Sequence, residues 1–432
     1  MDQKDIIFAL STPSGKSALA VFRISGKGCH KVVKKISSTK KIQKNKTTLN
    51  YIFDKTKKPI DQTLTTFFKS PKSFTGEDMV EISCHGSLAV LKKISKNFIE
   101  NNMRPASPGE FTRRSLENNK IDIAKVEALG DLINANTEKQ REMAFQNLKG
   151  GLTNYSTELK NKLLKIISNV EAYIDFSDEE LPKNLKKKIL EQKENIIKSI
   201  EETIKRSSLA EIIRQGFVVS VLGKPNTGKS SFVNYVSGRN VSIVTNVPGT
   251  TRDLVESLVE KNGYQIRFID TAGIRKYRNK IEKIGIKKTI ELSKKSDLNI
   301  VFLKKNETNQ YDKTKNKIFV RSKHDIKKGK KTEKNILDIS SVTGFGVEKL
   351  LNKVIKRLQP KNNTEIPIIS RERQLLKLKN CLKHLKSFNL DKNIDMAADD
   401  LRFSLKEVEE VYHKFDIENI LDIIFKDFCI GK

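Results

Sequence analysis

The stretch Gly223-Lys224-Pro225-Asn226-Thr227-Gly228-Lys229-Ser230 constrains this chain more than any other. It fits G-x-x-x-x-G-K-[ST], a loop whose backbone N–H groups cradle phosphate oxygens. The context is the one such a loop needs. Phe217-Val218-Val219-Ser220-Val221-Leu222 before it reads as a buried strand, and Ser231-Phe232-Val233-Asn234-Tyr235-Val236 after it reads as the start of a helix. A helix N-terminus adds its own orphan N–H groups to the cradle. Lys229 is placed to reach the β- and γ-oxygens and Ser230 to ligate Mg²⁺, with Gly223, Asn226, Thr227, Gly228 and Ser231 completing the contact. A parallel α/β nucleotide-binding domain is therefore expected here.

Four further elements follow in the order of a guanine-nucleotide switch. Gly249-Thr250-Thr251-Arg252-Asp253 offers a threonine, Thr251, that can complete the Mg²⁺ shell and sense the γ-phosphate. Gln265-Ile266-Arg267-Phe268-Ile269 reads as a strand that runs into Asp270-Thr271-Ala272-Gly273, a D-x-x-G whose aspartate acts behind Mg²⁺ and whose glycine N–H faces the γ-phosphate. Lys317–Arg321 reads as a strand ending in Ser322-Lys323-His324-Asp325, where an N-K-x-D base reader is expected. Asp325 can accept from the guanine N1 and N2 donors. Ser322 departs from the asparagine of that pattern, which puts nucleotide affinity in question. Ile339-Ser340-Ser341-Val342 then offers a backbone N–H to guanine O6.

Two features set the domain apart. Only about a dozen residues separate Asn299–Leu303 from the strand at Lys317, near the minimum for a parallel crossover, so the intervening helix is expected to be stunted or absent. Ile274 follows D-x-x-G where other switches carry a water-positioning glutamine, so hydrolysis has to use another group. Glu282 is one candidate; a solvent-facing helix residue is the competing description.

Outside this domain the pattern changes. Residues 1–120 mix strands (Asp5–Leu10, Ala18–Ser25, Thr63–Lys69, Met79–Cys84) with helices (Gly28–Ile36, Leu88–Asn101), an α+β arrangement. Arg23-Ile24-Ser25-Gly26, the run Thr75–Gly86 and Pro108-Gly109-Glu110-Phe111-Thr112-Arg113-Arg114 stand out as polar turn clusters. From 121 the pattern is helical. Val126, Leu129, Leu132 and Ile133 share one face, and Leu163, Leu164, Ile167, Val170 and Ile174 share another. Ser177-Asp178-Glu179-Glu180 resembles a capping box. Helical periodicity returns after the nucleotide domain, with Asp416 as N-cap and Ile417, Ile420, Leu421, Ile424, Phe425 and Phe428 as one stripe. The expected organisation is 1–120, 121–214, 215–360 and 361–432, an α/β domain inserted into a helical one.

Composition narrows the class. The 432 residues carry 83 Lys+Arg against 52 Asp+Glu, a net charge of +31. That balance suits an anionic partner such as nucleic acid, yet the excess is mostly lysine spread along the whole chain, as a compositional bias would also give. The 4 cysteines, Cys29, Cys84, Cys381 and Cys429, form no C-x-x-C and suggest neither a zinc site nor a disulfide framework. No apolar run approaches the roughly 18 residues of a bilayer-spanning helix, and the N-terminus has no signal-peptide character. A cytoplasmic protein without membrane association is expected.

The run Thr75–Gly86, Pro108–Arg114, Asn119-Lys120-Ile121-Asp122, the nucleotide elements and the terminal Phe428-Cys429-Ile430-Gly431-Lys432 together resemble the tRNA-modification GTPases that act on the wobble uridine, the MnmE/TrmE type. The likeness covers essentially the whole chain. It implies an N-terminal folate-binding domain that dimerises, a helical domain, and a Ras-like G domain inserted into it. It implies that GTP hydrolysis works with a flavin-dependent partner protein, in a heterotetramer, to install a carboxymethylaminomethyl or aminomethyl group at carbon five of the uridine in tRNA. A tetrahydrofolate derivative, in the 5,10-methylene or 5-formyl form, would supply the one-carbon unit. Matching positions give Arg23, Glu81, Lys120 and Lys432 as folate contacts. The resemblance also implies activation by K⁺ and by dimerisation. Asn226 would hold K⁺ with Thr245, Val247 and Thr250 of the loop Thr245-Asn246-Val247-Pro248-Gly249-Thr250, which also lines the GTP site. Glu282 matches the acidic residue that orients water, and Arg252 and Asp253 match switch residues of the closed dimer. Cys429 is either a thiol near the one-carbon donor or a small apolar residue continuing the packing of Phe428.

Two other readings compete. A regulatory or ribosome-assembly GTPase would share the phosphate loop and Asn226, but needs neither the folate-like block nor the Cys-Ile-Gly-Lys tail. A degenerate member that no longer cycles is supported only by Ser322 and the trimmed domain.

Overall fold

The structure is a computed structural model and describes residues 5–39, 43–175, 184–239, 255–270, 294–304, 316–323, 335–359, 365–391, 394–413 and 431. The chain divides into two compact units. The first comprises Met1–Gly130, Leu148–Lys160 and Val408–Lys432; the second comprises Asp131–Asn147 and Asn161–Glu407.

The first unit is built on a six-stranded sheet. Its strands are β1 (Ile7–Leu10), β2 (Ser17–Ser25), β3 (Thr47–Phe53), β4 (Pro59–Phe68), β5 (Met79–Gly86) and β6 (Arg104–Pro105), in the order β3-β4-β5-β2-β1-β6. Alternation decides which side is buried. Ala20, Phe22 and Ile24 of β2 and Val80, Ile82 and Cys84 of β5 point into a core closed by helices α1 (Cys29–Lys35) and α2 (Leu88–Glu100). Phe98 of α2 anchors it, edge-on to Phe8 at 5.1 Å and Phe22 at 5.4 Å. The other face carries Arg23 of β2 opposite Glu81 of β5. At the β1 side that face is covered by Phe74, Ala106 and Phe111, packed on Ile7 and Ala9. Phe111 belongs to α3 (Glu110–Glu117), and α4 (Ile123–Ile133) follows.

The second unit holds a second six-stranded sheet of order β12-β11-β10-β7-β9-β8. Its members are β7 (Phe217–Gly223), β8 (Val255–Lys261), β9 (Tyr264–Asp270), β10 (Leu298–Phe302), β11 (Lys317–Arg321) and β12 (Ile336–Asp338). All pairs are parallel except β8 with β9. Central β7 is covered on both sides, which is why it reads as one apolar run rather than an alternation. Val219 and Val221 face the core of α8 (Lys229–Arg239) and α9 (Val347–Leu358), while Leu222 faces Val301, Leu303 and Ile336.

Helices α5 (Glu138–Leu148), α6 (Gly151–Asp175), α7 (Leu185–Gln215), α10 (Glu372–Ser387) and α11 (Ile394–Tyr412) make up the helical remainder. Within the second unit α5 docks on the start of β9. Lys139 Nζ lies 4.2 Å from the Tyr264 ring centroid, and the Gln140 amide donates to Gln265 Oε1 at 2.9 Å.

The strands and helices expected before residue 121 all form within a few residues of their limits. Two edge strands, β3 and β8, carry no sequence warning. In β3 only Asn50 and Ile52 are buried, so the apolar signal is halved. The expected α6 face is corrected at one position. Leu164 is exposed, and Ile166 takes its place beside Leu163, Ile167 and Val170 in the interior. Strands β10 and β11 are direct parallel neighbours, consistent with a short crossover; residues 305–315, between them, lie outside the described residues. So do the expected capping box at 177–180 and the apolar stripe from Asp416 to Phe428.

Candidate functional site

The phosphate loop leaves β7 and enters α8. Asn226 at its tip has φ 61, a left-handed conformation that asparagine adopts more readily than most residues, and its side chain is exposed. Thr227 Oγ1 donates to the Lys224 carbonyl at 2.8 Å and closes the turn. Lys229 is buried beneath the loop, its ammonium donating to the carbonyls of Gly223 at 2.9 Å and Lys224 at 2.8 Å. Its three donors and single charge sit at the centre of the cradle.

Ser230, the first α8 residue after Lys229, donates to Asp270 Oδ2 at 2.7 Å. Asp270 ends β9, next to β7 in the sheet, and is itself buried. Two hard oxygen donors converge there, the type and charge that Mg²⁺ takes from protein. Among the described residues no cluster of three His, Cys, Asp or Glu forms another candidate metal site.

The base-reading side is held by strand ends. Ser322, just past β11, donates its hydroxyl to the Thr227 carbonyl at 2.5 Å and so links β11 to the phosphate loop. The approach leaves no room for a side chain at residue 228. A Cβ on Gly228, whose φ is 93, would lie 2.4 Å from Ser322 Oγ. Lys323 follows, exposed, with φ 68. One strand over, Arg321 pairs with Asp338 of β12 at 2.7 Å, fixing the loop that starts at Ile339. Ser340 Oγ accepts from the N–H groups of Val342 at 3.3 Å and Thr343 at 3.2 Å, and Ser341 Oγ is buried without a partner. The fold thus brings Gly223, Asn226, Thr227, Gly228, Lys229, Ser230, Ser231, Asp270, Ser322, Lys323, Ser340, Ser341 and Val342 to one end of the sheet. Thr245–Asp253, Thr271–Gly273, Ile274, Glu282 and Asp325 lie outside the described residues.

A second candidate site lies in the first unit. Arg23 and Glu81 are cross-strand partners. Arg23 donates to Glu81 Oε1 from Nε at 3.0 Å and from Nη2 at 2.7 Å. Its guanidinium stands 5.4 Å from the Phe74 ring centroid and 6.0 Å from that of Phe111. With Phe68, Lys72, Ser73, Phe74, Met79 and Leu129 the pair lines a pocket of about 450 Å³. That volume falls in the range of small-molecule sites, and the lining is apolar with a few placed charges. Arg23 Nη1 also donates to the Gly431 carbonyl at 3.4 Å, which Ser11 Oγ engages at 3.1 Å. Gly431 has φ 107, and a Cβ there would meet the Leu10 carbonyl at 2.7 Å. Lys120 is exposed and does not line the pocket; its side chain packs along Gly76. Cys429 and Lys432 lie outside the described residues.

The polar turn clusters hold this pocket in place. Arg114, buried on α3, donates to Asp5 Oδ1 at 2.6 Å, Glu77 Oε2 at 3.1 Å and Glu110 Oε1 at 3.3 Å. Arg104 reaches Asp5 at 2.7 Å and Glu110 at 2.6 Å, and Ser25 reaches Glu77 at 2.8 Å. Burial alone would push the Glu110 carboxyl up, but its hydrogen bonds to Arg104 and the Ser107 N–H and the nearby charges hold it below the usual range. The same two arginines hold Asp5 low against its own desolvation. Sequence singled out the three clusters, but not Asp5 or Arg104, and gave no sign that one network joins them.

The described thiols are poor nucleophiles. Cys29, Cys84 and Cys381 are all buried. Burial pushes Cys84 up to about 11 and Cys381 up to about 12, and Cys29 higher still.

A family model of the MnmE helical domain matches residues 123–429, and one of the GTP-binding protein TrmE N-terminus matches residues 6–120. The tRNA modification GTPase MnmE of Orientia tsutsugamushi (strain Boryong) is 35% identical over 445 residues, covering 99% of this chain and 99% of that protein. The protein of the same name from Pelagibacter ubique (strain HTCC1062) is 37% identical over 448 residues, covering 99% and 100%. Among solved structures, the G domain of the T. maritima FeoB iron transporter matches at 27% identity over 33% of this chain and 99% of that chain, with a TM-score of 0.26.

Proposed function

The chain belongs to the MnmE family of tRNA modification GTPases, and from that premise we propose that it is a K⁺-dependent GTPase, activated by dimerisation, that modifies the wobble uridine of tRNA. With a flavoprotein partner, in a heterotetramer, it adds a carboxymethylaminomethyl group to carbon five of that base and draws the one-carbon unit from a tetrahydrofolate derivative. The observation that carries this reading is the coexistence in one chain of two built sites, the Lys229–Ser230–Asp270 cradle and the Arg23–Glu81 pocket. A switch protein without folate chemistry has no use for the second.

At the first site the chain's own residues grip, orient and sense. Loop N–H groups and Lys229 hold the β- and γ-phosphates. Ser230 and Thr251 would hold Mg²⁺, with Asp270 behind, and the ion would supply charge neutralisation at the phosphate oxygens. Asn226, with Thr245, Val247 and Thr250, would hold K⁺, which would supply positive charge for phosphoryl transfer. The exposed, left-handed Asn226 suits that role. Glu282 orients the attacking water, Arg252 and Asp253 act in the closed dimer, and Asp325 reads the guanine.

At the second site Phe68, Phe74 and Met79 suit the flat face of a pterin, and Arg23 and Glu81 suit its polar edge; Lys120, outside the pocket lining, and Lys432 are the cations we propose for its glutamate tail. Residues 1–120 form the folate and dimerisation domain, and 215–360 the G domain inserted between helical segments 121–214 and 361–432. Dimerisation is supported by the open sheet face, where Leu19, Leu49 and Leu64 are 65%, 63% and 44% exposed beside Tyr51. No helix among the described residues is long and apolar enough to cross a membrane; the cytoplasmic site of action we propose rests on the tRNA substrate.

Mass analysis of wobble uridines in tRNA from cells lacking this protein tests the proposal. The carbon-five adduct should disappear; unaltered uridines would overturn the function.

A further inference from the structure

We infer that Ser322 tethers the phosphate loop and leaves the purine N7 unread, so that this site accepts guanine nucleotides altered at position seven as readily as GTP and GDP. The inference rests on the guanine-nucleotide reading above and adds the chemical class of ligand that the site tolerates.

A serine hydroxyl has one hydrogen to donate. That of Ser322 goes to the Thr227 carbonyl at 2.5 Å. Thr227 is buried in the phosphate loop, so its carbonyl has no bulk water to turn to. The hydroxyl has no slack either. Gly228 packs against Ser322 so closely that a Cβ there would sit 2.4 Å from Oγ and 3.0 Å from Ser322 Cβ. Handing the hydrogen to a ligand would strand the Thr227 carbonyl.

The purine ring needs donors on this side. Its Hoogsteen edge shows only acceptors, O6 and N7 in guanine. In an anti nucleotide the imidazole edge, with N7, overhangs the 5′-phosphates, so a base seated between the phosphate loop and the 340–342 turn would turn that edge toward Ser322, which joins β11 to the loop. O6 can be read by the backbone N–H of Ser341, because that of Ser340 goes to the Phe345 carbonyl and that of Val342 to Ser340 Oγ. With its hydrogen given to Thr227, Ser322 would offer that edge only lone pairs, which repel another acceptor. An asparagine at 322 differs in kind, because its two N–H bonds can serve the Thr227 carbonyl and N7 together. The serine keeps the tether and gives up the base contact.

The experiment compares GDP with 7-deaza-GDP, in which a C–H replaces N7, by competition against a fluorescent GDP on the full-length protein with Mg²⁺. The two should bind within about twofold of each other. Ser322→Ala should weaken both by the same factor, about fivefold or more, because it removes the tether alone. Ser322→Asn should tighten GDP and open a preference for it over 7-deaza-GDP. A native protein that binds 7-deaza-GDP at least fivefold more weakly than GDP overturns the inference and leaves the guanine reading intact. Ser322→Ala with unchanged affinities overturns the tether. Failure of GDP itself to compete, or equal competition by ADP, overturns both readings at once.

Discussion

Ser230 and Asp270 lie 40 residues apart in the chain and 2.7 Å apart in the fold. One lies in the first turn of the helix after the phosphate loop and the other ends the neighbouring strand, so the helix start and the strand that runs into the site share one contact. Replacing Asp270 by Asn keeps an oxygen at that place but removes its charge. Asp270→Asn should therefore fold, yet lose most of the Mg²⁺ dependence of GDP affinity, with binding in Mg²⁺ about tenfold weaker or more. Fluorescent-GDP titrations with Mg²⁺ and with EDTA read this directly. A variant that keeps the full Mg²⁺ response would show that the ion is held elsewhere.

Hydrolysis of GTP should rise roughly tenfold or more when K⁺ replaces Na⁺ at equal ionic strength. Asn226→Ala should abolish the difference while GDP still binds. Equal rates in the two salts would remove K⁺ from the mechanism.

Arg23 holds two side-chain hydrogen bonds to Glu81 and stands over Phe74. Arg23→Ala should weaken 5-formyltetrahydrofolate binding about tenfold, the scale of one charge-assisted hydrogen bond. Calorimetric titration is the measurement, and an unchanged Kd would refute the folate assignment.

The open face of the first sheet should be covered by a second copy. Leu49 and Leu64 are direct cross-strand partners and both are exposed. A lysine at each places two desolvated charges in any interface built there. Light scattering should then report a monomer where the native chain gives a dimer, with circular dichroism unchanged. Persistence of the dimer would move the interface to another face.

The ionic network of Asp5, Arg104, Glu110 and Arg114 sets an acid limit. Both carboxyls are held below their usual values in the folded chain. A lowered folded value contributes stability that is present above the unfolded pKa and is lost as pH falls. The first unit should therefore be at full strength at neutral pH and lose stability progressively below about pH 4. Glu110→Gln should cost about 3 kcal/mol at pH 7, because it leaves buried Arg114 and Arg104 short of a partner, and should flatten that acid slope. Urea titrations at several pH values give both quantities.

Much of this was legible because it is periodic or local. Strand β7 announces itself as an unbroken apolar run, since both of its faces are covered. The phosphate loop is a contiguous motif, and β2 and β5 alternate cleanly. Edge strands β3 and β8 were silent, because half-covered strands bury too few residues to show a pattern. The Arg114 network was hidden for another reason. Its members, from Asp5 to Arg114, are joined only by the fold, and nothing local distinguishes a buried glutamate from a capping one. Phe74 and Phe111 were likewise visible as letters inside their turn clusters, but their place beside Arg23 depends on the packing of α3 against β1. The Ser322 tether is the reverse case. Its departure from the expected asparagine was plain in the sequence, while the partner that explains it, a backbone carbonyl, leaves no trace there.

The carbonyl of Gly431 holds Ser11 and Arg23 across gaps of 420 and 408 residues. Strands β1 to β6 precede the nucleotide domain in the chain, and the glycine that fastens Arg23 follows it. The pocket's last fastening therefore waits for the nucleotide domain to be made. A tag fused beyond Gly431, or a shortened tail, would act on the oldest part of the molecule, and a fragment ending at residue 130 would carry the pocket without its last fastening.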